Sequence, residues 1–318
     1  MKKSMLALGL MMATSACDGS EISEAKQPSL RGPKPILFEK PWNAGLERKE
    51  PKLQVQQLHD GIFVIRQSVR TNFESPFMYL LLGEERALLL DTGASEVGLR
   101  ETVDGILNQW QLEKKLEPLS LTVMHSHGHG DHVYGDSAFD NRPNTTIVGH
   151  SVDDVKQYFG LNSWPDGISS IDLGKFEVEL FPAPGHHDTH VILHPKGTQY
   201  LLTGDSIYPG RLYFRCDRID QFKNTIEKIN HYAGENDVKW VLGAHIEMKN
   251  APGEAFSPQD KKRPNEHLLE LPVSVIGDVS NALDEMLHGP VVKTYDHFVL
   301  FPHPADPRGK TPPNWCAS

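Results

Sequence analysis

Apolar residues occur along the chain in short runs that alternate with polar turns. Continuous short runs predict buried strands, and apolar positions three or four apart predict helices with one buried face. The predicted strands are 61–65, 77–82, 87–90, 121–124, 145–148, 176–181, 191–193, 200–202, 238–242 and 291–301. The predicted helices are 95–111, 152–159, 217–233 and 273–287, with 250–272 irregular. This alternation of strands and helices is typical of an α/β protein.

The first fifty residues differ from the rest of the chain. Two lysines, an apolar stretch too short to span a bilayer and then small residues make residues 1–16 a predicted secretory signal peptide. Cys17 follows directly and resembles the lipidated cysteine of bacterial lipoproteins. We therefore predict an exported protein, either periplasmic or attached to the membrane through Cys17. Residues 17–52 are rich in proline and charge without periodicity, which predicts a tether or a loosely packed arm.

Charge and cysteine content narrow the partners and the redox chemistry. The net charge is −10, and it becomes −12 when Lys2 and Lys3 leave with the signal segment. Phosphate contacts need clustered lysine and arginine, so we expect no nucleic-acid partner. Cys216 and Cys316 are the cysteines that remain after Cys17. In an oxidising compartment they form a disulfide or stay as two free thiols, and the sequence leaves both open.

The residues most suited to chemistry follow the predicted strand 121–124. Residues 125–132 contain four histidines and one aspartate, interleaved with Gly128 and Gly130. Imidazole and carboxylate are ligands of zinc and similar divalent ions, and glycine permits the tight turns that let neighbouring side chains point into one space. His186, Asp205 and His245 also follow predicted strands. Because open α/β folds bind ligands at the carboxyl ends of strands, we expect all of these side chains to meet.

These candidate ligands divide into two groups joined by a bridge. The first group is His127, His129 and His186, and the second is Asp131, His132 and His245. Asp205 can face both groups with its two oxygens. Each group leaves a position for water, which is typical of a catalytic site. We therefore predict two divalent ions, zinc by preference, with iron or manganese as alternatives.

In these motifs the chain resembles the metallo-β-lactamase-fold superfamily of metal-dependent hydrolases. The motifs are H-x-H-x-D-H at 127–132, Pro184-Gly185-His186, Thr203-Gly204-Asp205, Gly243-Ala244-His245 and Leu90-Asp91-Thr92-Gly93. The resemblance covers residues 53–250 as the catalytic domain, with 251–318 as a C-terminal extension packing on the same domain. It implies an α/β fold of the four-layer αββα sandwich type, with a dimetal centre at one sheet edge.

The resemblance also suggests roles for residues beside the ligands. Asp131 is the predicted catalytic carboxylate, orienting the nucleophile, with metal ligation alone as the alternative. Asp91 and His190 are predicted to support the ligands, because ligating imidazoles usually donate their other N–H. His125 has no matching ligand position, so we expect it to be buried or to support a ligand rather than to bind a third ion. Tyr208 either donates to a developing oxyanion or packs, and so does Tyr213.

Two close cations and the resemblance together predict the reaction. We expect an exported dinuclear zinc hydrolase in which a hydroxide held between the ions attacks a small ester, lactone or thioester. A bridging aspartate such as Asp205 is usual in glyoxalase II-type thioesterases, lactonases and phosphodiesterases, and true metallo-β-lactamases generally lack it. The alternatives are a β-lactamase, a phosphodiesterase, a mononuclear-iron persulfide dioxygenase-like oxidoreductase, or a protein that only binds. The expected partner is a small-molecule substrate, and the oligomeric state is not predicted.

Overall fold

The computed structural model describes residues 33–174, 176–286 and 291–303. The predicted signal segment, Cys17 and Cys316 lie outside the described residues, so export and lipidation stay predictions. Within the described part, no helix is long and apolar enough to cross a membrane. Cys216 begins a short 3-10 helix and takes part in a disulfide. Both other cysteines lie outside the described ranges, so the identity of its partner stays a prediction.

Two six-stranded sheets form the centre of the molecule. The strands of the first sheet are β1 Leu53–His59, β2 Ile62–Gln67, β3 Phe77–Leu82, β4 Arg86–Leu90, β5 Ser120–Met124 and β6 Thr145–Ile147, side by side in chain order. The first four strands pair antiparallel, and β5 and β6 continue the sheet in parallel. Parallel neighbours need a long crossover. Helix α1, Leu99–Lys114, forms the crossover between β4 and β5.

The second sheet and the remaining elements follow in the chain. They are α2 Gly130–Val133, α3 Val152–Phe159, β7 Ser169–Asp172, β8 Glu177–Pro182, β9 Val191–Pro195, β10 Tyr200–Gly204, β11 Arg211–Arg215, α4 Ile219–Glu235, β12 Trp240–Gly243, β13 Glu270–Pro272, α5 Val275–Met286, β14 Lys293–Thr294 and β15 Val299–His303. The strand order of the second sheet is β13-β12-β10-β9-β8-β7. A small third sheet has the order β11-β15-β14.

Three apolar clusters show how these elements are layered. The cluster between the two large sheets contains Tyr79 and Leu88 of the first sheet and Leu180 and Leu202 of the second, all buried. A second cluster joins the outer face of the first sheet to α1, and a third joins the outer face of the second sheet to α4 and α5. Burying one large apolar side chain stabilises a fold by about 1.5–3 kcal/mol. The layers therefore read helix, sheet, sheet, helix, which confirms the predicted αββα sandwich.

The described part of the predicted tether is packed rather than loose. Residues 33–52 form no helix or strand, yet Phe38 and Trp42 are buried in the cluster between the sheets. The Trp42 ring meets Phe77 of β3 edge to face at 5.0 Å. The prediction of a loose arm was wrong here because single aromatic anchors in a polar segment leave no periodic pattern.

Other predictions were wrong at short or isolated elements. Strands β7, β11 and β13 were not predicted, since their few residues are mixed polar and apolar. Strands β11 and β13 also pair with strands distant in the chain. Strand β13 belongs to the second large sheet, so the region after residue 250 completes the main fold. The predicted strand 291–301 is two strands, β14 and β15, joined by a turn in which Tyr295 N–H donates to the carbonyl of Phe298. Helix α1 begins at Leu99, after Gly98 with a left-handed φ of 84°.

Candidate metal centre

All seven predicted ligands lie at one edge of the two large sheets. The segment 127–132 follows β5, His186 follows β8, Asp205 follows β10 and His245 follows β12. At Gly204 the backbone is left-handed, and a Cβ would lie 2.7 Å from Nε2 of His190 and 2.8 Å from Cβ of Ser126. Only glycine fits there, which lets β10 deliver Asp205 directly against the histidine loop.

The first triad, His127, His129 and His186, is a set of three converging ring nitrogens. Nε2 of His127 lies 2.9 Å from Nδ1 of His129. Nε2 of His186 lies 3.2 Å from Nε2 of His127 and 3.0 Å from Nδ1 of His129. Burial lowers the pKa of all three histidines, that of His186 to about 4. The imidazoles are therefore neutral near pH 7 and present lone pairs. His129 is the exposed member, so solvent and ligands reach the triad from its side.

The second triad, Asp131, His132 and His245, contains a carboxylate as well as imidazoles. Nε2 of His245 lies 3.4 Å from Nε2 of His132 and 3.4 Å from Oδ2 of Asp131. Burial alone would lower the pKa of His132 and His245, but the surrounding carboxylates raise the pKa of both well above the usual value. In the absence of a metal ion these imidazoles hold protons that a cation can replace.

Asp205 lies between the two triads. Its Oδ1 is 3.3 Å from Nε2 of His245 and 3.5 Å from Nε2 of His132, and its Oδ2 is 3.5 Å from Nε2 of His186. Oδ1 is buried and has no hydrogen-bond partner among the described residues. Leaving a buried polar atom without a partner costs roughly 1–3 kcal/mol, and more when the group is charged, as a carboxylate is. Nitrogen and carboxylate donors around that oxygen fit two divalent ions of the zinc type.

Asp91 fixes the orientation of the histidine loop. Its Oδ1 accepts from the backbone N–H of Ser126 at 2.6 Å, and its Oδ2 accepts from Nδ1 of His132 and the Ser126 hydroxyl, both at 2.9 Å. The same hydroxyl lies 3.1 Å from Nδ1 of His127. With Nδ1 engaged, Nε2 of each imidazole faces the centre of the site. Asp91 itself has a left-handed φ of 70°.

Backbone carbonyls hold two of the remaining histidines. Nδ1 of His186 donates to the carbonyl of Tyr213 at 2.9 Å, and Nδ1 of His245 donates to that of Glu74 at 2.9 Å. Neither carbonyl was predicted, because a backbone acceptor leaves no motif in the sequence. His190 is buried, accepts from the backbone N–H of Asp205 at 3.1 Å and stacks on the His127 ring at 5.1 Å. It therefore touches the ligands, as the predicted supporting residue should.

A cavity of about 450 Å³ opens over the two triads. Its walls are aromatic at Phe73, Tyr208 and Phe301 and acidic at Glu74 and Glu247. No lysine or arginine lines it within the described part of the chain. The Tyr208 hydroxyl donates to the carbonyl of Arg211, so it is engaged away from the reacting centre. Phe73 and Glu74 come from a loop without any motif, so no pattern in the sequence predicted them.

Comparison with known proteins shows similarity to one family and to several enzymes. Residues 71–217 match the profile of the family described as the metallo-beta-lactamase superfamily. The chain is 28% identical over 137 residues to a hydroxyacylglutathione hydrolase of Anaeromyxobacter dehalogenans (strain 2CP-C), across 42% of this chain and 46% of that enzyme. It thus spans about half the length of that relative. It is 23% identical over 223 residues to the human acyl-coenzyme A thioesterase MBLAC2, across 60% of this chain and 80% of that protein.

A solved structure supports the fold independently. The structure of a metallo-beta-lactamase from Pontibacter korlensis superimposes with a TM-score of 0.50 at 16% identity. It covers 74% of this chain and 100% of that chain. At this identity the likeness shows the fold alone.

Proposed function

We propose that the chain, whose residues 71–217 match the metallo-beta-lactamase superfamily, is a dinuclear metal-dependent hydrolase of small esters, lactones or thioesters. The observation that carries the proposal is Asp205, whose buried Oδ1 has no hydrogen-bond partner in the described part of the chain. This oxygen faces the second triad, and Oδ2 faces the first. A residue so placed suits two cations of the zinc type better than one. The named relatives, a hydroxyacylglutathione hydrolase and an acyl-coenzyme A thioesterase, favour cleavage at an acyl carbon.

The residues of the chain divide the work of such a reaction. A pair of bound ions supplies a water of lowered pKa and polarises the oxygen of the scissile group. Asp131 has Oδ2 beside both His132 and His245 and lines the cavity. Burial would raise the pKa of Asp131, but His132 and His245 hold it well below the usual value. Asp131 is therefore an anion in the metal-free protein. Beside a bound cation, which favours the same ionised form, it would orient a water by accepting its hydrogen bond.

The walls of the cavity favour an uncharged acyl group. Phe73, Tyr213 and Phe301 offer aromatic surface, and Glu74 and Glu247 add carboxyl groups. The described lining holds no lysine or arginine that could pair with a phosphate. A phosphodiester therefore fits less well than an ester, a lactone or the acyl part of a thioester. The polar remainder of a thioester would lie outside the cavity, where His129 faces solvent.

Metal analysis and a substrate panel test the proposal together. Purified protein without an affinity tag should retain two tightly bound ions at the catalytic centre. It should hydrolyse a lactone, an ester or a thioester in preference to a β-lactam and a phosphodiester. Hydrolysis of the phosphodiester alone would contradict the proposed substrate class. A single iron per chain with persulfide oxidation would contradict hydrolysis itself.

We also propose export, on the basis of residues 1–17. Expression in a bacterial host should give a processed protein that lacks residues 1–16. With lipidation, the wild type should incorporate a labelled fatty acid and Cys17→Ser should not. An unprocessed protein that begins at Met1 would contradict export.

A further inference from the structure

A second group of potential ligands lies behind the histidine loop, outside the catalytic centre. His125 is at the end of β5, Asp136 is in the 3-10 helix Asp136–Ala138, and His150 precedes α3. Nε2 of His125 lies 2.8 Å from Oδ1 of Asp136, and Nε2 of His150 lies 2.8 Å from Oδ2 of the same carboxylate. The two imidazole rings meet edge to face at 4.5 Å. We refer to these three residues as the rear cluster.

We propose that the rear cluster is a third cation site that takes a divalent ion of the zinc class and braces the histidine loop. The ligand atoms of its three residues all lie within 4.8 Å of one another. Two imidazoles and one carboxylate are a donor set that such ions accept, with water at the remaining position. The proposal goes beyond the hydrolase activity and does not depend on it.

The ligand atoms of the rear cluster are spaced closely enough to bind an ion after small shifts of the side chains. Zinc–ligand distances of about 2.0–2.2 Å in tetrahedral geometry place neighbouring donors roughly 3.3 Å apart. The nitrogen–oxygen distances of 2.8 Å in the rear cluster need to open by a few tenths of an ångström. The first catalytic triad shows the same close approach, since its nitrogens are 2.9–3.2 Å apart. The spacing between potential ligand atoms is therefore similar in the rear cluster and in the first triad.

The rear cluster is both anchored and accessible. The Thr92 hydroxyl donates to Oδ1 of Asp136 at 2.7 Å and thereby fixes the carboxylate. Burial would raise the pKa of Asp136, but the hydrogen bond from His125 holds it below the usual value, so the group is an anion. The His125 side chain is 4% exposed, whereas that of His150 is 39% exposed. His150 therefore forms the side through which an ion and its water enter.

The position of the rear cluster explains what an ion there would do. His125 is two residues before His127, and Thr92 follows Asp91, which holds His132. A Cβ on Gly128 would lie 3.6 Å from Cβ of His150, so the histidine loop packs directly on this segment. An ion held by the rear cluster would tie β5, the 3-10 helix and the loop before α3 together behind the catalytic ligands.

Ion counting with matched variants tests the third site. Metal-stripped protein without an affinity tag would be titrated with Zn²⁺ against a competing indicator. Wild type should bind one ion more than His150→Gln, with affinity for that ion at least about tenfold weaker in the variant. Because His150 is at the surface, this variant should keep the wild-type Tm of the stripped protein. The control is His231→Gln, which changes an exposed histidine of α4 and should match wild type.

Asp136→Asn provides the second arm of this test. It should lose the same ion as His150→Gln while the circular dichroism spectrum is unchanged. Equal ion counts for wild type and His150→Gln would overturn the third site, as would retention of the ion by Asp136→Asn. The result is read as a difference between variants, so it does not depend on how many ions the catalytic centre holds. Failure of the hydrolase proposal would appear in the substrate panel instead.

Discussion

The two triads of the catalytic centre are close in space but differ in charge and support. The first triad is three imidazoles that burial keeps neutral, with His129 open to solvent. The second triad includes the Asp131 carboxylate, and nearby carboxylates keep its two histidines protonated until an ion replaces the protons. The second triad thus offers a charged donor, Asp131, but must release protons to bind a cation. The difference implies that pH and mutation should act on the two ions separately.

Removing the shared residue should have the largest effect, because it acts on both triads. Asp205→Ala takes away the oxygens that face His186 on one side and His245 on the other. We expect both ion content and kcat/KM to fall, the latter by at least about a hundredfold, since loss of even supporting contacts costs about 10–100-fold. Metal analysis and hydrolysis assays on the same preparation measure this. The control Asp217→Ala changes an exposed carboxylate and should behave as wild type. Full activity in Asp205→Ala would disprove the bridging role.

Single ligands should separate the triads. His186→Ala removes one donor of the first triad, and His245→Ala removes one donor of the second. We expect each variant to lose one ion of the catalytic pair, because the remaining triad keeps its own three donors. Activity should fall in both, since both ions take part in the proposed reaction. Loss of both ions from either variant would show that the triads are not separate binding sites.

The sequence predicted the ligand positions better than the surroundings of the ligands. Histidines and aspartates that follow apolar strands in a fixed order are visible in the chain, and the structure brings all seven together. Asp91 was found because it also ends a strand. The carbonyls of Glu74 and Tyr213 were not, since backbone acceptors carry no residue signature.

In the fold, too, elements with a local sequence pattern were predicted, and elements that depend on distant partners were not. The long apolar runs β3 and β4 and the amphipathic helix α4 were predicted because their pattern is local. Strand β13 and the packed Trp42 depend on partners far along the chain. His125 is an instructive case. It was predicted only to be buried or supporting, because its partners Asp136 and His150 lie 11 and 25 positions away with no motif between them.

Weakening the support of one triad should have a smaller effect than removing a ligand. Asp91→Asn keeps the size of the side chain, and asparagine tolerates the left-handed backbone. In Asp91 one oxygen accepts from Ser126 N–H and the other from His132 Nδ1. An amide has a single acceptor oxygen, so asparagine can keep only one of these two hydrogen bonds. We expect affinity for the second ion to fall about 10–100-fold and affinity for the first to change less. Competitive zinc titration measures both. Ser126→Ala removes the hydroxyl contacts with Asp91 and with Nδ1 of His127. Its affinity for the second ion should fall between those of Asp91→Asn and wild type. A larger loss at the first triad would reverse the assignment.

Acid should release the two ions in sequence. Carboxylates raise the pKa of His132 and His245 despite burial, so protons compete strongly for the second triad as pH falls. Burial instead lowers the pKa of His186 to about 4, so protons compete weakly for the first triad until the pH approaches that value. Dialysis of the zinc-loaded protein at decreasing pH should release the ion of the second triad before the ion of the first. Simultaneous release of both ions would contradict the electrostatic difference between the triads.

The smallest expected effect concerns Glu74, whose carbonyl holds His245 and whose carboxyl group lines the cavity. Burial raises the pKa of this carboxyl group from 4.5 to about 7. In the metal-free protein, its contribution to stability is therefore complete below about pH 4.5 and is lost as pH rises through about 7. Glu74→Gln removes this dependence while keeping the backbone carbonyl. The quantity to compare is the unfolding free energy of the variant minus that of wild type. This difference should be about 1–2 kcal/mol larger at pH 8 than at pH 5, because partial solvation of the carboxyl group reduces the full effect.

Urea unfolding of metal-stripped protein at pH 5 and pH 8 measures this gain. Glu117→Gln changes an exposed carboxylate and serves as the control, with no difference between the two pH values relative to wild type. An equal stability difference at both pH values for Glu74→Gln would mean that the carboxyl group is ionised throughout. The negative charge around the second triad would then be greater than the burial of Glu74 implies, and its contrast with the neutral first triad would be sharper still.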